Sequence, residues 1–328
     1  IKQGVKMLIH KTQYWCDDNN FGDALNPYIQ MGFGVWSKCK PAEYANLICI
    51  GSSMERLLDN VLISKHINKN PIHVWSTGFH FPIHEHKWYH NIKFPEKFAR
   101  NVTVHALRGK LSLERAENAL GHKINNPALG DGALLTSLIF KPARRKKYRL
   151  GIVGHFTEHN HSVFKKIRKN IKNSIIINVK SRPNKFIKKL TQCDAIISSA
   201  LHPLVVADSF GIPNLWINLS RDKNISMYKF TDYYSVFGLD AKYMDISLDE
   251  FTEKHLAELI QNYAVKSDDV LKIQKSLIDA HPFSHTVNYI TPLQIFYLNG
   301  RRIMKIIYKF IPFPKLRHKL KYQYKLRY

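Results

Sequence analysis

The residue with the clearest potential for chemistry is His202, which follows a strand-like segment and begins a helix-like one. The apolar run of residues 195–197 stops at small hydroxyl residues, as a buried parallel strand does where it meets a helix. Pro203 suits the first helical turn, because its missing N–H costs nothing there, and Gly211 followed by Pro213 predicts the helix end. Ligands of open parallel sheets bind at the carboxyl ends of the strands. The pattern therefore predicts that His202 lies at a helix start and at the mouth of a binding site.

The helix start influences the charge of this imidazole. Unpaired N–H groups of the first turn carry partial positive charge, so they favour anions and disfavour an imidazolium. We therefore predict a neutral His202 in the empty site and a protonated His202, able to act as an acid, when a phosphate or carboxylate binds. A histidine that caps the helix and hydrogen-bonds locally fits the position equally well, since topology locates sites without identifying their chemistry.

Small and charged residues also follow the predicted strands of the N-terminal half. Small residues let a ligand approach the backbone, and an arginine followed by glycine can hold a phosphate or carboxylate in a fork. For any single arginine a surface ion pair is the simpler explanation. For Asp23 the simpler explanation is a capped turn, and we expect this residue to cap a helix. The candidates are Asn20, Gly22 and Asp23 after the first strand, Gly51 and Ser52 after the second, Gly78 after the third and Arg108 after the fourth.

A second histidine, His155, ends the first predicted strand of the C-terminal half, and we expect its imidazole to face the same cleft as His202. Histidine pairs at residues 84–86 and 159–161 have alternate spacing in loop-like segments, which is a weak metal-ligand pattern in a chain with 17 histidines. We therefore predict no metal site. The sequence also contains no Walker-type glycine loop, no G-x-S-x-G elbow and no H-E-x-x-H helix.

Strand-like and helix-like segments alternate along the chain, which indicates βαβ units around parallel sheets. A chain of 328 residues is long for one core, and the charged, Pro-containing segment 141–147 is the natural linker. We predict an α/β fold in which two Rossmann-like domains, residues 1–142 and 148–299, face each other across a cleft in a glycosyltransferase-B-like arrangement. The predicted strands cover residues 7–10, 46–50, 72–75 and 102–105 in the first domain and 149–153, 175–179, 195–198 and 214–217 in the second.

The charge balance of the chain is strongly basic. It has 50 Lys and Arg against 25 Asp and Glu, which favours anionic partners. Asp279 is the last acidic residue, and residues 300–328 interleave basic with large apolar side chains. We predict that this basic amphipathic tail binds an anionic membrane surface, while a solvated charge run or a terminal helix packed on the body are the alternatives. Nucleic acid is disfavoured as a partner, because no recognised nucleic-acid-binding signature accompanies the charge.

Cysteine usage and the absence of targeting patterns suggest a compartment. Four cysteines without paired spacing argue against a zinc ribbon or a disulfide scaffold and favour a reducing environment. No apolar run approaches the ~18 residues that span a bilayer, and residues 1–10 are too short and too polar for a secretory signal. We expect a cytoplasmic protein that is peripheral at the inner face of the cytoplasmic membrane.

Taken together and in order, the motifs resemble the polysaccharide pyruvyl transferase family, and within it the bacterial exopolysaccharide branch. The resemblance covers about residues 7–240. Three positions depart from the family pattern: Ala200 stands where an arginine or serine often precedes the Leu-His pair, Pro203 where glycine commonly follows it, and Gly132 where proline is usual. The matching segments are residues 20–26, 51–52, 75–78, 108–112, 129–135, 151–155, 198–213 and 229–234.

The resemblance implies transfer of pyruvate from phosphoenolpyruvate to a sugar of a bacterial surface polysaccharide, as a ketal across two hydroxyls. It implies no cofactor besides the phosphoenolpyruvate co-substrate, and a glycan acceptor for which the basic tail makes a lipid linkage plausible. In this interpretation the N-terminal domain holds the acceptor and the C-terminal domain holds the donor.

The same resemblance suggests roles for the candidate residues. His202 is the expected acid and base, and the departure at Ala200 means that this turn supplies no arginine to the donor. The expected donor-binding residues are Arg108, His155, Ser199, Leu201 and Lys229, and the expected acceptor-side residues are Asn20, Gly22, Asp23, Gly51, Ser52 and Gly78.

Two other functions remain open from the sequence. A glycosyltransferase that uses a nucleotide sugar would share the fold and the basic tail. A catalytically inactive protein that binds polysaccharide or membrane is the second alternative, and the departures at Ala200 and Pro203 leave room for it.

Overall fold

The computed structural model describes residues 9–14, 20–40, 44–58, 71–82, 93–94, 96–99, 101–219, 227–247 and 250–299. The predicted basic tail, residues 300–328, and the histidine pair at residues 84–86 lie outside these ranges. Within them, no helix is both long enough and apolar enough to cross a bilayer. The same described residues contain no group of three or more His, Cys, Asp or Glu side chains placed to hold a metal ion.

The N-terminal half is built on a five-stranded parallel sheet. Its strands are β1 (Ile9–Gln13), β2 (Trp36–Cys39), β3 (Leu47–Ile48), β4 (Ile72–Val74) and β5 (Val102–Val104), and their spatial order is β2-β1-β3-β4-β5. The short helices α1 (Phe21–Ala24), α2 (Asn26–Gly32) and α3 (Glu96–Ala99) lie between the strands, and residues 54–58 are helical.

A two-stranded sheet follows along the chain. Strands β6 (Ala106–Leu107) and β7 (Ala128–Leu129) pair in parallel, and α4 (Lys110–Leu120) lies between them in the sequence. A 3-10 helix (Gly132–Leu135) and α5 (Thr136–Ile139) then lead to the C-terminal half.

The C-terminal half contains a second parallel sheet. Its strands are β8 (Tyr148–Val153), β9 (Ser174–Ile176), β10 (Cys193–Ser198), β11 (Asn214–Asn218) and β12 (Tyr243–Asp245), in the order β12-β11-β10-β8-β9. Its helices are α6 (Ser162–Asn170), α7 (Pro183–Leu190), α8 (Leu201–Ser209), α9 (Met227–Tyr234), α10 (Glu253–Gln261) and α11 (Ser267–Asp279).

The two sheets have the same topology, although the sequence shows no internal repeat. Numbered within its own half, each runs 2-1-3-4-5, so each half has a switch point where consecutive connections leave in opposite directions. These points lie between β1 and β3 in the first half and between β8 and β10 in the second, and they are where open α/β sheets bind ligands. The predicted α/β class with two Rossmann-like halves is confirmed.

The halves share one hydrophobic core. The Phe21 ring in α1 stacks on the Phe186 ring in α7 with centroids 3.9 Å apart, and the Phe21 amide donates to the Val179 carbonyl at 3.0 Å. At the far end of the chain, the Trp75 indole donates to the Leu277 carbonyl of α11 at 3.0 Å. The C-terminal segment therefore returns to pack on the N-terminal half.

The cysteine spacing argued against a disulfide scaffold, but Cys39 is disulfide-bonded. Cys49 and Cys193 are free and buried, so the bonding partner of Cys39 lies outside the described residues. Parallel pairing sets Cys39 at the end of β2 opposite Thr12 in β1, and Cys39 Sγ lies 3.5 Å from the Tyr14 carbonyl oxygen. Spacing along the sequence could not reveal this proximity.

Candidate active site

The two switch points face each other across the junction of the halves. On the C-terminal side, β10 ends at Ser198 and α8 begins at Leu201, so His202 lies in the first helical turn as predicted. The N-cap residue Ala200 supplies no capping side chain; its amide donates instead to Ser198 Oγ at 3.0 Å. His202 makes no capping hydrogen bond, and its imidazole points across the junction.

The His202 imidazole lies between Gly22 and Asp131. A Cβ atom at residue 22 would overlap with Nδ1 of the imidazole, so only glycine in α1 permits this approach. On the other edge of the ring, Nε2 lies 3.8 Å from Asp131 Oδ2, and the two side chains are 16% and 0% exposed. Neither atom has a hydrogen-bond partner. The ring is therefore held by contacts to the N-terminal half, although it belongs to the C-terminal half.

Asp23 is a second carboxylate that the N-terminal half places near His202. The Asn20 amide donates to Asp23 Oδ2 at 2.6 Å, and Asn20, not Asp23, occupies the N-cap position of α1. The expectation that Asp23 caps the helix is therefore wrong, because the carboxylate turns into the cleft. Burial raises the pKa of Asp23, and the nearby charges of His202, Arg56 and Lys229 oppose that rise.

Gly51 completes this side of the cleft. It has a positive φ of 115°, and a Cβ atom at this position would lie 3.3 Å from Asp23 Oδ1. The Asn26 amide donates to the carbonyls of Asp23 and Ile50, at 3.1 and 3.0 Å. The turns that follow β1 and β3 are thereby tied together at the switch point.

Ser199 joins the two turns of the C-terminal switch point. Its hydroxyl donates to Glu158 Oε2 at 2.7 Å and accepts from the His155 amide at 2.8 Å. Burial, the Lys229 charge and the His202 charge lower the pKa of His155 to about 4. His155 is therefore neutral at pH 7 and available only for hydrogen bonding.

Lys229, in α9, is a cation whose charge acts on both Asp23 and His155. Burial and the Arg108 charge lower its pKa to about 8, and the charges of Glu158 and Asp23 act in the opposite sense. The ammonium is thus mostly charged at pH 7 and loses its charge as the pH rises above about 8. The structure brings His202, Lys229, Asp23 and His155 together, and these four residues were predicted from strand ends and motifs.

Arg108 lies deeper than predicted, inside the junction. Its side chain is 1% exposed and Nε donates to Asp232 Oδ2 at 2.9 Å, while Nη1 donates to Ser52 Oγ at 3.1 Å and Nη2 to the Phe79 carbonyl. A Cβ atom at Gly78 would lie 2.6 Å from Arg108 Cζ. Arg108 therefore holds a carboxylate of the protein itself, and its guanidinium lies beside Ser52 and Gly78 in the junction.

Asp232 receives further donors from the start of α4. Its Oδ1 accepts from the Ser112 amide at 2.8 Å and its Oδ2 from Ser112 Oγ at 2.5 Å. A Cβ atom at Gly109 would overlap with the Asp232 backbone. The R-G-x-x-S segment, residues 108–112, thus binds one carboxylate of α9 and joins the two halves.

Sequence reasoning missed Asp131, Glu158 and Asp232 as partners. Asp131 and Asp232 lie in segments that carry the family resemblance, and that position was the available signal. Glu158 lies in a loop and no pattern marks it. Leu201, predicted to bind the donor, is 3% exposed and packs in the shared hydrophobic core.

Comparison with known families agrees with the motifs. The family model described as polysaccharide pyruvyl transferase matches residues 6–221, which is about two thirds of the chain. The chain belongs to this family.

One individual relative matches a shorter stretch of the chain than the family model does. An uncharacterized protein of Acanthamoeba polyphaga mimivirus is 29% identical over 142 residues, which are 42% of this chain and 48% of that protein. The chain thus spans about half the length of this curated relative.

Two solved structures also match. A protein described as a UDP-N-acetylglucosamine 2-epimerase from Listeria monocytogenes matches with a TM-score of 0.42 and 11% identity, over 87% of this chain and 100% of the other. An uncharacterized protein from Klebsiella pneumoniae matches with a TM-score of 0.35 and 14% identity, over 68% of this chain and 88% of the other.

Proposed function

We propose that this transferase moves pyruvate from phosphoenolpyruvate onto two hydroxyls of a sugar in a surface polysaccharide or its precursor. The observation that carries the proposal is the meeting of His202, Lys229 and Asp23 where the two switch points face each other. This arrangement offers a proton carrier, a half-buried cation and a carboxylate to one ligand. No cofactor is needed for the reaction.

Donor binding follows from the charges of phosphoenolpyruvate, which has a phosphate and a carboxylate. Lys229 and Arg56 are the cations that act on Asp23, and the first-turn N–H groups of α8 add partial positive charge at the same place. Ser199 and the neutral His155 supply hydrogen bonds. Arg108 has no part in donor binding in this proposal, since its three nitrogens donate to Asp232, Ser52 and the Phe79 carbonyl.

The reaction requires proton transfers that a histidine can perform. Carbon 3 of phosphoenolpyruvate gains a proton, which makes carbon 2 electrophilic, and a sugar hydroxyl attacks carbon 2 and loses its proton. Phosphate then leaves with the electrons of its bond to carbon 2. The second hydroxyl attacks the same carbon, loses its proton and closes the ketal. His202 is the acid in the first step and a base for a hydroxyl afterwards.

The direct test incubates the protein with phosphoenolpyruvate and candidate glycans, and measures pyruvate-modified glycan by mass spectrometry and released phosphate by colorimetry. His202→Ala is expected to lower turnover at least about 100-fold, because it removes the proton carrier. The matched control is His122→Ala, since His122 is exposed beyond the end of α4 and should leave turnover unchanged. Near-normal turnover of His202→Ala would contradict the assignment of His202.

A ligand comparison distinguishes this function from the alternatives. Only the true donor binds the folded state tightly enough to raise the melting temperature appreciably. Phosphoenolpyruvate is expected to do so. A rise with a nucleotide sugar and none with phosphoenolpyruvate would favour a glycosyltransferase, and no rise with either, together with no phosphate release, would favour an inactive relative.

We also propose that the protein is peripheral at the inner face of the cytoplasmic membrane and meets anionic lipid there through its C-terminal end. Residues 300–328 lie outside the described residues, but the helical segment 292–299 that precedes them exposes Leu293 and Phe296, at 77% and 73%. These two residues share one helix face. The exposed Tyr289 ring has the Lys141 ammonium 5.6 Å from its centroid. Apolar and aromatic side chains beside basic groups are typical of surfaces that bind anionic lipid, and a lipid-linked acceptor would be presented at such a surface.

The membrane proposal predicts that Leu293→Asp/Phe296→Asp reduces cosedimentation with anionic liposomes severalfold, because it removes apolar contact and adds negative charge. Leu271→Asp is the matched control, since Leu271 is also exposed, at 59%, but lies in α11. Truncation after residue 299 should abolish the binding. Equal sedimentation of all variants would refute the proposal.

A further inference from the structure

We infer that Asp131 is a positioning residue that holds the Nε2–H of His202 and thereby leaves Nδ1 to exchange protons with the substrate. This inference rests on the proposed function and assigns a separate task to each nitrogen of the imidazole. It also makes the site incomplete in either half alone, since Asp131 belongs to the N-terminal half and His202 to the C-terminal half.

The Asp131 carboxylate is held in one orientation. It is fully buried, and its Oδ1 accepts from the Ala133 amide at 2.9 Å as the cap of the 3-10 helix. That hydrogen bond turns Oδ2 toward His202, where it has no partner. A buried carboxylate oxygen without a donor is unfavourable, and His202 Nε2 is the donor that faces it.

The orientation of the His202 ring is also defined by its contacts. Nδ1 lies over Gly22 in α1, where any side chain would overlap with it, and Nε2 faces Asp131 at 3.8 Å. Asp23 and His155 are titratable groups whose charges couple to His202, and they belong to the switch-point turns of the two halves. With Nε2 facing Asp131, Nδ1 is the ring nitrogen that remains for a substrate.

The distance of 3.8 Å between His202 Nε2 and Asp131 Oδ2 allows the two atoms to move closer together. It exceeds the length of an N–H···O hydrogen bond by about 1 Å, and an approach of α8 toward the 3-10 helix by that amount would form the bond. A carboxylate in this position selects the tautomer with hydrogen on Nε2 and stabilises the imidazolium through a charge-assisted bond. With Nε2–H occupied, Nδ1 accepts a proton as a base and donates it as an acid.

The first test reads the histidine directly in the whole protein. Nitrogen NMR of His202, assigned by comparison with the spectrum of His202→Ala, is expected to show the Nε2–H tautomer in the wild type. Asp131→Asn is expected to shift the population away from it. Asp208→Asn is the control, because Asp208 is a buried carboxylate near the other end of α8 that is held by Tyr233 and Tyr263. A wild-type Nδ1–H tautomer, or a tautomer unchanged in Asp131→Asn, would overturn the inference even if pyruvyl transfer is confirmed.

The second test uses turnover. Asp131→Asn is expected to lower kcat about tenfold or more with little change in the KM for phosphoenolpyruvate, and to displace the pH profile of kcat. Combined with His202→Ala, it should add little further loss, because residues that act as a unit are not additive. An additive loss in the double variant would overturn the inference. Failure of the proposed function is a different result, since it leaves the NMR outcome intact while no pyruvate is transferred by the wild type.

Discussion

Asp232→Asn is expected to lower the free energy of unfolding by about 3–5 kcal/mol, because removal of one partner leaves a buried charge uncompensated. The remaining charge is the guanidinium of Arg108, which is 1% exposed and pairs with a fully buried Asp232 at 2.9 Å. Loss of the carboxylate also weakens the hydrogen bonds from the Ser112 amide and hydroxyl. This single carboxylate connects α9 of one half to the start of α4 in the other.

Urea unfolding followed by tryptophan fluorescence measures the effect. Asp240→Asn is the matched control, because Asp240 is exposed in the segment that follows α9 and a surface change of this kind stays within about 0.5 kcal/mol. If Asp232→Asn and Asp240→Asn unfold at the same urea concentration, the ion pair does not join the halves as the geometry indicates.

The sequence was most informative about the buried central strands. In β10 the run Ala195, Ile196 and Ile197 is fully buried on both faces, which is the apolar pattern from which the strand was predicted. Strand β2 was missed. It lies at the edge of its sheet, and its residues, which include Lys38, are largely half-buried. An edge strand of that composition has no apolar alternation to detect.

In the candidate site, too, some residues were predictable from the sequence and others were not. Strand ends located His202 and Asp23, because parallel topology alone brings the ends of neighbouring strands to one edge. The partners of predicted residues were not accessible in that way, since Arg108 and Asp232 are 124 residues apart. A sequence shows that an arginine can hold an anion, but whether that anion is a substrate or a protein carboxylate depends on the packing of the halves.

The second large expected effect is a loss of stability in acid, and it arises from a group of four histidines. His10, His73 and His105 lie on or next to strands of the first sheet, and His281 follows α11. Nδ1 of His73 is 2.9 Å from Nε2 of His105. The His10 ring stacks on Phe283 with centroids 3.7 Å apart. These contacts hold the segment after α11 against the N-terminal half.

The hydrogen bonds of His281 require its neutral form. Its Nδ1 accepts from the amides of Phe283 and Ser284, at 3.3 and 3.2 Å, and Nε2 lies 3.1 Å from Gln30 Oε1. Burial lowers its pKa to about 3, and the charges of His10, His105 and His285 contribute in the same sense. Burial and the His73 charge lower the pKa of His105 to about 4. Burial also lowers the pKa values of His10 and His73.

We expect the free energy of unfolding to fall markedly between pH 6.5 and pH 4. Each histidine has a folded pKa below its unfolded value of about 6.5. Below that pH the unfolded state therefore binds more protons than the folded state. The stabilisation is therefore complete above pH 6.5 and is lost as the pH falls toward the folded pKa. For the deeply buried His281 the loss at about pH 4.5 is on the order of 2–3 kcal/mol, at about 1.4 kcal/mol for each pH unit. The more exposed His105 contributes less, because water screens its charge.

His281→Gln tests the contribution of this cluster without introducing a charge. Glutamine keeps a side-chain amide for Gln30 but takes up no proton, so the variant should be less stable at pH 7 through lost stacking on Phe33, whose ring lies 3.8 Å away. Its urea midpoint should nevertheless change less with pH than that of the wild type. His122→Gln, at an exposed position, should keep the full pH dependence. Parallel pH curves for the wild type and His281→Gln would contradict the account, because acid destabilisation would then arise from groups outside the cluster.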